Sequence, residues 1–184
     1  MKTFFLIHGS YGSPENNWFP WLKDELENAG HKVYVPRFPT PNGQSLDKWM
    51  NIFLEFDKYI DDDTIFIGHS LGSAFIFSIL EKYKAKAAFL VSGFIGLLGL
   101  KEFDPINQTI SDKDFDWEII KENCKNFFIF HSENDPYVPL SKGNEIAGLV
   151  GGDFMLVENA GHFNETAGYK RFDLLLEKIK LYVD

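Results

Sequence analysis

Only one cysteine, Cys124, stands in this chain of 184 residues. That excludes an internal disulfide and any multi-cysteine metal site, and it fits a reducing compartment. Long hydrophobic runs are also missing. The most apolar loop-like stretch, residues 94–100, falls far short of the roughly 20 residues that span a bilayer. The first residues carry one lysine and a short apolar run that leads straight into a glycine loop, without the pattern of a signal peptide. A soluble, cytoplasmic protein with no membrane partner is therefore expected. Basic residues are few: 18 Lys and Arg against 27 Asp and Glu leave a net charge of -9. Phosphate binding needs clustered Lys and Arg, so a nucleic-acid partner is excluded. The acidic run Asp61, Asp62, Asp63 lies just before an expected strand and reads as a solvated turn rather than a metal site. Nothing in the pattern implies a metal or a cofactor, and there are no internal repeats or low-complexity linkers.

What the chain does have is core material, with 45% hydrophobic and 16% aromatic residues. That suffices for one domain over residues 1–184 without staples. Six apolar runs, at residues 3–7, 33–35, 64–67, 87–91, 127–130 and 154–157, read as strands buried on both faces of a parallel sheet. Helical spacing fills the intervals. Trp18, Trp21, Leu22, Leu26 and Ala29 form one stripe, and Leu46, Trp49, Met50, Phe53, Phe56 and Ile60 form a second. Residues 71–80 are apolar nearly all round, Ser141 can cap a short helix ending at Gly151 and Gly152, and Phe172, Leu175, Leu176, Ile179, Tyr182 and Val183 share a last helical face. This alternation predicts a three-layer α/β/α sandwich with about six mostly parallel strands and little or no cap.

In such sheets ligands bind beyond the carboxyl ends of the strands, so the loops that follow strands are where chemistry is sought. After residues 64–67 the chain reads Gly68-His69-Ser70-Leu71-Gly72, a GxSxG pattern between a strand and an apolar helix. Such a turn exposes Ser70 at a helix N-terminus, where free N–H groups can stabilise an oxyanion. A serine needs a base, and the base needs an orienting group. His162, in the loop after the last strand, is favoured as base. His131 competes but follows its strand immediately, which confines its ring to the strand end. For the acid, Asp135 in the loop after the fifth strand is favoured over Glu133, and it gives the chain order Ser, Asp, His of an α/β-hydrolase.

Two oxyanion donors are expected: the backbone N–H of Leu71 and one from His8-Gly9-Ser10-Tyr11-Gly12, with Ser10 favoured and Tyr11 close behind. Tyr11, Phe94 and Phe163 flank these loops and are expected to contact substrate. His69 must point away from its neighbour Ser70; it is a candidate for the pocket wall or a structural residue, and His31 lies at the opposite end of the sheet. Residues 93–114 form the one candidate insertion; the glycines among Phe94, Ile95, Leu97, Leu98 and Leu100 disfavour a stable lid helix there. Cys124 reads as a small packing residue rather than a nucleophile.

Taken together, the elbow, the run Phe115-Asp116-Trp117-Glu118-Ile119-Ile120 leading through Asn123-Cys124, the stretch Asp135-Pro136-Tyr137-Val138-Pro139 and Gly161-His162-Phe163 make the chain similar to a known family. It resembles, over essentially its whole length, the small serine hydrolases typified by YdeN-like proteins and retinoblastoma-binding protein nine. The resemblance implies a nearly capless hydrolase with the triad Ser70, Asp135, His162. Its N-terminal loop departs from members that carry a run of glycines. The expected activity is cleavage of a small carboxylic ester or amide through an acyl-enzyme. The same residues would serve acyl transfer or thioester cleavage, and a hydrolase-like scaffold that binds a protein partner with little turnover is the reading from another class.

Overall fold

A computed structural model describes residues 1–183. Six strands form one sheet: β1 (Thr3–Ile7), β2 (Lys32–Tyr34), β3 (Ile65–His69), β4 (Ala87–Val91), β5 (Phe127–His131) and β6 (Asp153–Leu156). Their order is β2-β1-β3-β4-β5-β6, and every neighbouring pair is parallel. β1, β3, β4 and β5 are buried along their whole length, which is why they read as unbroken apolar runs instead of alternating ones.

Alternate residues of these strands feed two cores. Phe5, Ile7, Phe66, Ala88, Leu90 and Ile129 pack under α2 (Leu46–Phe53), α3 (Leu71–Leu80), α5 (Trp117–Asn123) and α6 (Leu140–Val150). Phe4, Leu6, Ile65, Ile67, Phe89 and Val91 pack under α1 (Phe19–Asn28) and α7 (Asp173–Val183) on the other face. All ten residues of α3 are buried, as its all-round apolarity requires. β1 is hydrogen-bonded to both β2 and β3, so the chain reverses direction across the sheet between β1 and β3. The carboxyl ends of those two strands therefore flank the crevice in which ligands bind.

The elements depart from the expected pattern in three places. The stripe from Leu46 to Ile60 is not one helix: α2 ends at Phe53 and a 3-10 helix covers Leu54–Tyr59. The tighter winding carries Phe56 and Tyr59 onto Tyr34 of the edge strand, with ring centroids 5.9 and 4.6 Å apart. Ser141 does not cap α6. Pro139, in extended conformation, is the N-cap and the helix starts at Leu140, so Ser141 lies inside its first turn. Residues 93–114 do contain a helix, α4 (Asp104–Ser111), packed on α3. Gly96 and Gly99 lie in the coil ahead of it and so do not interrupt it. The acidic turn behaves as read: Asp63 pairs with Lys2 at 2.8 Å and Lys86 at 3.1 Å, and Asp61 accepts from Thr64. Among the described residues no helix is long and apolar enough to cross a membrane.

A close backbone approach at Gly72 holds the elbow in place. A Cβ on Gly72 would sit 2.3 Å from the carbonyl oxygen of Ile7 and 2.9 Å from that of His8, both in backbone that cannot yield without parting β1 from α3. Gly72→Ala is accordingly expected to cost at least about 3 kcal/mol, the upper end of ordinary overpacking. Urea unfolding of the variant would measure it; a loss under about 1 kcal/mol would show that the helix can shift.

Candidate active site

Ser70 joins β3 to α3 with φ 55° and ψ -123°, a left-handed conformation unusual for a non-glycine residue and worth about 1–3 kcal/mol of strain. The surrounding structure holds it there: the Ser70 amide donates to the Val91 carbonyl at 2.8 Å, and Gly68 and Gly72 leave space for the turn. The serine Oγ has no hydrogen bond among the described residues. It lines a cavity of about 530 Å³, and His162 lines the same cavity.

His162 Nδ1 lies 2.8 Å from Asp135 Oδ2. A carboxylate can only accept, so Nδ1 carries a hydrogen, and in the neutral imidazole Nε2 has the lone pair. Asp135 is itself fixed on both oxygens. Oδ2 also accepts from the Ser92 hydroxyl at 2.7 Å, and Oδ1 accepts from the amides of Tyr137 at 2.9 Å and Val138 at 3.0 Å. Burial would raise its pKa, but the bond to His162, the histidine charge and the two amides outweigh burial and hold the carboxyl below the usual range.

The competing residues are engaged elsewhere. Glu133 is exposed and accepts from the Asn159 amide at 2.9 Å, and this bond lowers its pKa. His131 is fully buried, accepts at Nδ1 from the Ser132 amide at 3.1 Å and is packed against Gly143. Neither lines the cavity. Burial also drives the Cys124 thiol up to about 11, in keeping with a packing residue.

On the other side of the serine, a Cβ on Gly9 would fall 2.8 Å from Ser70 Cβ and 3.3 Å from the Leu71 nitrogen, so the loop after β1 runs directly beside the elbow. As first residue of α3, Leu71 has no intrahelical acceptor for its N–H, which finds no other among the described residues. The Tyr11 amide donates to Thr40 Oγ1 at 2.7 Å, whereas the Ser10 amide has no acceptor among the described residues. His8 sets the peptide between Gly9 and Ser10. Its Nε2 accepts from the Phe38 amide at 3.1 Å, so its Nδ1–H is free to donate to the Gly9 carbonyl at 2.9 Å.

Tyr11, His69 and Phe94 line the cavity, but Phe163 does not. Its backbone takes φ 49°, and its ring turns into the core to stack on Phe172 at 5.0 Å. Its carbonyl accepts from Trp18 Nε1 at 3.0 Å. His69 is almost wholly buried, and Nε2 lies 2.8 Å from the His162 carbonyl, to which it must donate. It thus holds the backbone of the histidine loop. The part played by Ser92 was not foreseen from the sequence, and Glu133 entered it only as the rival acid; Ser132, Glu133 and Asn134 accept from the amides of Ala160, Asn159 and Gly161 and pin the same loop. Their roles depend on which loops meet, and no local pattern announces that.

Burial drives His69 down to about 3, with the neighbouring His162 as a second cause. Its folded value therefore lies below its unfolded one, near 6.5. As the pH falls through 6.5 the unfolded chain takes up the proton first, and stability is lost progressively from there toward pH 3. Burial lowers His8 and His131 as well, with the same sign. Between pH 6.5 and pH 5 His69 alone accounts for a loss on the order of 2 kcal/mol. Denaturation at the two pH values should show at least that drop, and a smaller one in His69→Asn; an equal drop in both proteins would remove His69 from the account.

A parallel sheet of this order, with a strained serine between its third strand and the following helix and a histidine–carboxylate pair at the same cavity, defines an α/β-hydrolase. The chain belongs to the serine hydrolase family, whose profile matches residues 4–180. It is 28% identical to YdeN of Bacillus subtilis over 98% of this chain and 96% of that one. The crystal structure of YdeN superposes with a TM-score of 0.91 over 99% and 98% of the two chains, at 27% identity. Serine hydrolase RBBP9 of Rattus norvegicus is 29% identical over 82% of this chain and 80% of its own. Est1E from Butyrivibrio proteoclasticus, solved with ferulic acid bound, shares the fold with a TM-score of 0.70 at 18% identity, over 98% and 90% of the chains. The protein is a serine hydrolase.

Proposed function

We propose that Ser70, His162 and Asp135 form the triad of this hydrolase and cleave a small carboxylic ester or amide through an acyl-enzyme. The observation that carries this reading is the Asp135–His162 bond, which puts the hydrogen of the neutral imidazole on Nδ1 and its lone pair on Nε2, in a residue that lines the same cavity as Ser70. In the first step Ser70 Oγ attacks the carbonyl carbon while His162 Nε2 takes the hydroxyl proton. The carbonyl oxygen becomes an oxyanion, received by the N–H groups of Leu71 and Ser10. As the tetrahedral intermediate collapses, His162 gives the proton to the leaving oxygen or nitrogen, and the acyl group stays on Ser70. Water, deprotonated by His162, then attacks the acyl-enzyme; as the second tetrahedral intermediate collapses the bond to Ser70 Oγ breaks, His162 returns the proton to that oxygen, and the acid and free serine result. Leu98 and Phe103 join Tyr11 and Phe94 in walling a cavity suited to a short chain. A cytoplasmic location is part of the same reading, in keeping with the single cysteine.

A series of nitrophenyl esters tests the substrate class. Rates are expected to be highest from acetate to hexanoate, without a jump at the critical micelle concentration. Preference for palmitate would overturn the short-chain reading.

A further inference from the structure

One polar group in the cavity is oriented by the fold yet has nothing to bond. Asn107, on α4, is only 2% exposed and lines the cavity with Ser10, Phe94 and Phe103. Which way its amide points follows from a backbone group whose role is beyond choice, the Ile106 carbonyl, and the contacts at the other end of Gln44 agree with it. The Tyr11 N–H can only donate, and it donates to Thr40 Oγ1 at 2.7 Å. Thr40 keeps its hydroxyl hydrogen for Gln44, whose near atom at 2.6 Å is the oxygen Oε1 in the arrangement that the other end of the side chain fixes. At the other end of that side chain, the Ile106 carbonyl can only accept, and it lies 2.9 Å from Gln44 Nε2. Both ends thus give Gln44 the same orientation. Its Nε2 is also 3.1 Å from Ser10 Oγ and 2.9 Å from the facing terminal atom of Asn107, which must then be Oδ1. The Ser10 hydroxyl donates to the same oxygen at 2.5 Å.

With Oδ1 held by two donors, Nδ2 turns away from the knot, and it has no partner among the described residues. Only Trp21 Nε1, Ser78 Oγ and His131 Nε2 are both sealed and unpaired there, so Nδ2 is open to the cavity. A donor locked in place at a cavity wall is suited to a ligand acceptor. The leaving group must lie within reach of His162, which protonates it. Asn107 is tied instead to Ser10, on the oxyanion loop.

We infer that Asn107 is a specificity-determining residue whose Nδ2–H donates to an oxygen on the acyl chain of the substrate, so that the site selects short acyl groups bearing an alkoxy, oxo or hydroxyl oxygen over plain alkyl groups of the same shape. This rests on the hydrolase mechanism proposed above. It is tested with nitrophenyl esters in isosteric pairs, methoxyacetate against butyrate and levulinate against isocaproate, each rate divided by that of alkaline hydrolysis to remove intrinsic reactivity. In the unaltered enzyme at least one pair should favour the oxygenated ester by about tenfold in kcat/KM. Asn107→Asp keeps an oxygen for Ser10 and Gln44 but has no N–H, and it should abolish that preference. Asn107→Leu should do the same and serves if the aspartate variant does not fold. A preference that survives in the variants, or is missing from both pairs in the unaltered enzyme, overturns the inference while leaving the triad standing. An enzyme that hydrolyses none of the four esters overturns the ester-hydrolase reading and this one with it.

Discussion

Replacing Ser70 by alanine is expected to lower kcat/KM at least about a thousandfold and to abolish labelling by a fluorophosphonate, while the melting temperature shifts by no more than about 2 °C. The two halves of this expectation have separate causes. Activity is lost because Ser70 is the residue that the strained elbow presents at the cavity, next to the Leu71 amide, and His162 lines the same cavity. Ser10 also lines the cavity, but its hydroxyl is spent on Asn107. The fold survives because Ser70 Oγ makes no hydrogen bond among the described residues, and alanine keeps the Cβ that rests against Gly9. Alanine also inherits the positive φ, so backbone strain is unchanged and cannot account for a loss of activity. Labelling that persists in the variant would move the nucleophile elsewhere.

The same contrast between local and assembled features decides how much could be read from the chain. Strands β1, β3, β4 and β5 were legible to within two residues at each end because both faces of each are buried, which leaves an uninterrupted apolar run. Ser70, Asp135 and His162 could be singled out as candidates because each is a chemically distinctive residue in a loop that follows a strand. α4 was not, since the glycines ahead of it mask where the coil ends. Phe163 was misplaced for another reason. A phenylalanine beside a site histidine looks the same whether the backbone turns it toward the cavity or, as here with φ 49°, into the core. Ser92, Gln44 and Asn107 lay wholly out of reach. Ser92 meets Asp135 across 43 positions and Ser10 meets Asn107 across 97, distances over which a sequence carries no periodic signal.

Those long-range contacts also shape what a change at the acid should do. Asp135→Asn is expected to lower kcat about ten-thousandfold with a much smaller change in KM. The amides of Tyr137 and Val138 can only donate, so they keep the asparagine oxygen in the place of Oδ1. The new NH₂ group must then take the place of Oδ2, facing His162 Nδ1 and Ser92 Oγ. An amide N–H there demands an acceptor, which Nδ1 becomes only by giving up its proton. The imidazole hydrogen moves to Nε2, and the base presents a donor to the serine where it needs a lone pair. Ser92 adjusts by accepting instead, which leaves its buried hydroxyl hydrogen without the acceptor it had, so stability should fall by about 1–3 kcal/mol, far short of what the loss of activity represents. Activity and stability thus separate, which simple unfolding would not produce. Glu133→Gln supplies the control. Its carboxylate accepts from the Asn159 amide and an amide oxygen can do the same, so turnover should stay within a few-fold of the original. If kinetics of the two variants showed Glu133→Gln to be as damaging as Asp135→Asn, the acid would have been assigned to the wrong residue of this loop.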